Sequence, residues 1–174
     1  LQARLDALPP EEKELLKWAS VIGKNFFEGA LEALTPPSAR AAAAGLLSSL
    51  EARGLVRVRE RLPTGGPRQL SFRTQALRDA AYGSLPRAGR EAAHREVAAW
   101  LELDAQQGGL RAAEVAAHFE AGAAPARARP HFVRAAREYA ALFQHREAAD
   151  YYERALRGWP SNEDPGGHAD TRRE

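Results

Sequence analysis

The chain has no cysteine. Disulfides, thiolate nucleophiles and cysteine-ligated zinc are thereby excluded, while the redox compartment stays open. Long apolar runs are missing too. None approaches the ~18 residues that a membrane-crossing helix needs, and the N-terminus lacks the basic-then-apolar pattern of a secretory signal. Also absent are a Gly-rich phosphate loop ending in Lys-Ser or Lys-Thr, a His-Glu-x2-His or His-x3-His pair, and a Gly-x-Ser-x-Gly nucleophile turn. The expectation is a non-enzymatic chain with no metal and no cofactor of its own. Lysine is scarce: arginine outnumbers it about sevenfold, and alanine supplies roughly a fifth of the residues. That composition favours helix and fits a GC-rich genome, so no mechanism is drawn from the arginine excess alone.

What is present can bury a core. With 174 residues, 44% of them hydrophobic, the chain reads as a soluble globular protein of one domain or two small ones. A net charge of +2 and a pI near 9.2 permit weak attraction to nucleic acid without requiring it. Because Leu1 stands in place of methionine, an excised piece of a longer chain is expected, with the cytoplasm as its default location.

Periodicity divides the chain into helices and one hairpin. Leu1, Leu5 and Leu8 look like the tail of an earlier helix; Pro9 and Pro10 then open another, with Glu11, Glu12 and Glu14 near its positive end. Leu15, Leu16, Ala19 and Ile22 form its apolar stripe, and Gly23 ends it. A shorter helix is expected over residues 26–34, and a third from Thr35-Pro36-Pro37-Ser38 through an alanine block to Gly54. The period then switches to two. Val56 and Val58 alternate with Arg57 and Arg59, Pro63-Thr64-Gly65-Gly66-Pro67 turns the chain, and Leu70 and Phe72 alternate with Ser71 and Arg73. Further helices are predicted over residues 75–85, 87–106 and 110–121, broken at Gln107-Gly108-Gly109 and at residues 122–125.

Three helices followed by a hairpin is the order of a winged-helix domain. Farther on, Phe132, Ala135, Ala136 and Tyr139 have the large-small-small-large spacing of a tetratricopeptide first helix, and Ala148, Tyr152, Ala155 and Pro160 fit its second helix and exit. Small residues let two helices approach closely, and a single repeat cannot bury its own face without neighbours. Pro130 requires the first of these helices to start there or to bend from a start near Pro125. The fold expected is therefore mainly α, with a linker at 1–8, a winged-helix domain at 9–86, a tetratricopeptide-like array at 87–160 and a flexible tail at 161–174.

This order of parts resembles the segment that follows the ATPase core in bacterial STAND-class signal-transduction ATPases and ATPase-type transcriptional regulators. Leu8-Pro9-Pro10-Glu11-Glu12 and Ala19-Ser20-Val21-Ile22-Gly23 are similar to that family's opening phrases. Arg78-Asp79-Ala80-Ala81-Tyr82, Ser84-Leu85, Arg90, His94 and Val97-Ala98 then follow in the family's order, as do Val115-Ala116, His118-Phe119 and Gly122. The resemblance implies an upstream ATPase domain and further helical repeats of the same chain as partners, a protein or small-molecule inducer, and ATP or ADP in the full-length protein. It also implies a nucleotide-sensing position just after the second wing strand. Many relatives carry histidine there; this chain has Thr74, then Gln75 instead of an acid. A hydroxyl can donate one hydrogen bond to a phosphate but supplies no imidazolium charge.

Two other functions compete. Arg57, Arg59 and Arg61 share one face of the first wing strand, with Arg68 and Arg73 nearby, and such a wing suits either DNA phosphates or domain docking. The third helix is poor in base readers, offering alanines, Ser48 and Ser49, with Arg40 and Arg53 near its ends. The third possibility is a plain tetratricopeptide scaffold. His94 and His118 are expected to pack, and Tyr82 needs a hydroxyl partner if buried.

Overall fold

The computed structural model describes residues 2–60, 68–106 and 111–157. The chain divides into units Leu1–Val97 and Ala98–Glu174, and each is taken by itself.

In the first unit, α1 (Gln2–Asp6) precedes α2 (Pro10–Ile22), which begins with proline in its first turn and Glu11 and Glu12 against the positive helix end. Leu15, Leu16, Ala19 and Ile22 are all buried, as the stripe predicts. Gly23 ends α2 at φ 152°, ψ −173°, a region essentially reserved for glycine. That extended exit redirects the chain into β1 (Asn25–Phe27). The expected helix over 26–34 is thus shortened to α3 (Glu28–Leu34), because Phe26 is taken by the sheet. It pairs with Leu70, has no exposed surface, and packs its ring 5.6 Å from Phe72.

Next come α4 (Pro37–Ala52), β2 (Val56–Glu60) and β3 (Gln69–Phe72). Gly54, at φ 66°, closes α4 in a Schellman turn: Leu55 N–H reaches Leu50 O at 3.0 Å and Gly54 N–H reaches Glu51 O at 2.8 Å. The strand order is β1-β3-β2, antiparallel throughout, so β3 is central rather than half of a lone hairpin. Two strands alone are marginal in water, and β1 supplies the third. Phe26, Val56, Leu70 and Phe72 face the core, while Asn25, Ser71 and Arg57 form a row on the opposite face. The register shifts between Val58 and Glu60, leaving Arg59 at an irregularity of β2. The unit continues through α5 (Gln75–Gly83) into α6 (Arg87–Gln106), within which the division between units falls.

The second unit holds the end of α6, then α7 (Ala112–Ala121), α8 (Pro125–Ala141) and α9 (His145–Arg157), with α7 packed on α8 and α8 on α9. The α8 helix starts at Pro125 and continues through Pro130, whose exposed ring costs the helix one backbone donor. The turns after α7 and α8 are built alike. Ala123 (φ 54°) and Phe143 (φ 60°) occupy the left-handed positions, and Ala124 N–H to Phe119 O (2.9 Å) matches Gln144 N–H to Tyr139 O (3.0 Å). The small residues Ala128, Ala135, Ala136, Ala148 and Ala155 are buried, with Phe119 and Phe132 filling the space between helices. Among the described residues the fold is mainly helical with one small antiparallel sheet, and no helix is long and apolar enough to cross a membrane.

Candidate functional site

Two of the arginines expected on a wing, Arg57 and Arg59, are tied into the sheet. Arg57 Nε donates to Ser71 Oγ (3.1 Å), and Arg59 Nη1 to Asn25 Oδ1 (3.1 Å), so each reaches across to another strand. Arg68 grips Glu28 with both arms of its guanidinium, Nε to Oε2 at 2.9 Å and Nη2 to Oε1. Glu28 N–H returns a bond to Arg68 O at 3.0 Å. The Arg68 hydrogen bonds hold the Glu28 carboxyl below its ordinary range despite partial burial. Arg73 has an exposed side chain and donates its backbone N–H to Leu55 O at 2.9 Å. Arg61 lies outside the described residues, as does the turn expected at Pro63-Thr64-Gly65-Gly66-Pro67.

The bases at the ends of α4 are engaged as well. Arg40 Nε donates to Glu32 O and Thr35 O, both at 3.1 Å, closing the end of α3. Arg53 Nε lies 3.0 Å from Glu12 Oε2 as an ion pair rather than an aligned hydrogen bond. Ser49 Oγ donates to the other Glu12 oxygen at 2.7 Å. Glu12, 4% exposed, therefore pins α2 to α4 from inside. Only its place on the stripe, at i, i+3, i+4 and i+7 with Leu15, Leu16 and Ala19, marked it in the sequence.

Thr74, at the nucleotide-sensing position implied by the resemblance, caps α5. Its Oγ1 accepts from Leu77 N–H at 3.2 Å, with backbone angles of −137° and 154°. The oxygen is occupied as an acceptor in capping, while the hydroxyl proton retains its donor role. Gln75 Nε2 donates to Asp79 Oδ1 at 2.8 Å.

Past Thr74, a run of contacts joins Ser20, Arg78, Asp79, Tyr82, Arg90 and His94. Arg78 Nε donates to Ser20 O at 2.8 Å, fastening α5 to the last turn of α2, and Nη1 pairs with Asp79 at 3.2 Å. The Arg78 and Arg90 guanidiniums lie 4.7 and 5.1 Å from the centre of the Tyr82 ring, and the Tyr82 hydroxyl meets His94 Nε2 at 3.0 Å. Burial first, then the positive charges of Arg78 and Arg90, push the His94 imidazole down to about 4. At neutral pH it is an uncharged hydrogen-bonding partner for Tyr82. The arrangement joins α2, α5 and the first half of α6. Among the described residues there is no group of three His, Cys, Asp or Glu suited to a metal ion.

In the second unit, Phe132, Ala136, Ala148, Tyr152 and Ala155 are buried and Tyr139 is half-buried, 5.1 Å from the Tyr151 ring; Pro160 lies outside the described residues. Three polar contacts there escape sequence reasoning. Glu102 receives His131 Nε2 at 2.8 Å and Arg127 Nη2 at 2.9 Å, while Arg127 also covers the Phe119 ring at 4.1 Å. Arg154 binds Glu120 at 2.6 Å and lies 4.4 Å over Phe132. His118 is buried within α7.

An open apolar groove of about 600 Å³ runs between α2 and α4, with Leu15, Trp18, Ala42 and Leu46 in its walls and Glu11 and Glu14 at its edge. Comparison of the chain with family models, curated proteins and solved structures found no match.

Proposed function

We propose that the chain is a non-enzymatic regulatory and protein-interaction segment of a multidomain signalling ATPase: a winged-helix domain followed by a tetratricopeptide-like array. The observation that carries the first half is the order α2, β1, α3, α4, β2, β3 with β3 central. Winged-helix domains place a short strand after their first helix and pair it with the second wing strand, and β1 does this although three residues are too few to be recognised by alternation. The second half is supported by two successive helix pairs joined by matching left-handed turns, packed through alanine and aromatic side chains.

In this reading the winged helix holds an ATPase core closed, and a ligand on the helical array shifts the balance toward an open state. Domain docking is favoured over DNA binding because Arg57, Arg59, Arg68, Arg40 and Arg53 each have a partner within the fold, and the exposed face of α4 carries Ala41, Ala44, Gly45 and Ser48 rather than base readers. The coding sequence on the N-terminal side of Leu1 tests the assignment. A phosphate loop ending in Lys-Ser or Lys-Thr is expected there, and its absence refutes the ATPase context. A mobility shift on duplex DNA, weakened by salt and abolished by Arg57→Glu with Arg59→Glu, would instead make the wing a nucleic-acid surface.

A further inference from the structure

We draw no further inference here: the strongest candidate, the open apolar groove between α2 and α4 in the first unit, carries nothing because Glu14 at its edge is already paired with Lys17 and nothing in the structure shows what covers the groove.

Discussion

Acidification should weaken the first unit in a window set by His94. The imidazole is 7% exposed, bonded to the Tyr82 hydroxyl, and faced by the guanidiniums of Arg78 and Arg90, with Asp79 paired to Arg78 at the edge of the cluster. In the fold it titrates at about 4; in the unfolded chain an ordinary histidine titrates near 6.5. Above pH 6.5 neither state holds the proton, and below pH 4 both do. Between those limits the unfolded chain takes up a proton that the fold refuses, so stability falls as pH drops through the interval. At about 1.4 kcal/mol per pH unit the full linkage is roughly 3 kcal/mol. Solvent at the outer side of the arginines screens part of the repulsion, leaving about 2 kcal/mol.

Replacing His94 with glutamine keeps a polar group able to meet Tyr82 and removes the titration. Urea unfolding between pH 4.5 and 7.5 should then show the variant losing about 2 kcal/mol less than the wild type across the interval. The Arg68-bonded Glu28, whose carboxyl is also lowered in the fold, acts in the same direction at lower pH. Its lowered carboxyl stabilises the fold above the ordinary carboxylate range, and that contribution disappears as pH falls through its folded value; it persists in both proteins and cancels in the comparison. An imidazole resonance of His94 that titrates near 6.5, or parallel stability curves for the two proteins, would refute the reasoning.

Ser49→Ala should cost about 1–2 kcal/mol in urea unfolding, because it strips a hydrogen bond from the buried Glu12 carboxylate; a neutral result would mean that Arg53 alone satisfies Glu12. Thr74→Ala should cost about 1 kcal/mol through loss of the α5 cap, and Thr74→Ser should restore most of it in thermal unfolding. Arg154→Lys keeps the charge opposite Glu120 but loses the planar contact with Phe132, and should cost about 1 kcal/mol. Arg134→Lys, in an exposed pair with Glu138 one helical turn away, should be neutral within about 0.5 kcal/mol in the same denaturant assay.

The parts legible in the sequence are those where a local period decides which face is buried. Leu15, Leu16, Ala19 and Ile22 in α2, and Phe132, Ala135 and Ala136 in α8, lie on buried faces because nearest neighbours in the chain set the stripe. β1 lacked that signal: Asn25-Phe26-Phe27 shows no resolvable alternation, and its pairing is decided more than forty residues away by Leu70 and Ser71. The same limit applies to the candidate site. Alternation told which face Arg57 and Arg59 take, but not that Ser71 and Asn25 would stand opposite to accept from them.

That distinction changes the meaning of the arginine excess. Codon composition can account for how many arginines there are, but not for the contacts that particular ones make. Arg68 uses two parallel bonds to one carboxylate, Arg78 combines a backbone carbonyl with the Tyr82 ring, and Arg127 and Arg154 each combine a glutamate with a phenyl face. An ammonium could match the charge in these places but not the planar fork together with the ring contact. The arginines that looked in the sequence like a surface for phosphates are therefore also fasteners between elements. Any partner that recruits Arg57 or Arg59 must compete with the cross-strand bonds they already make, which raises the cost of phosphate binding on that face of the sheet.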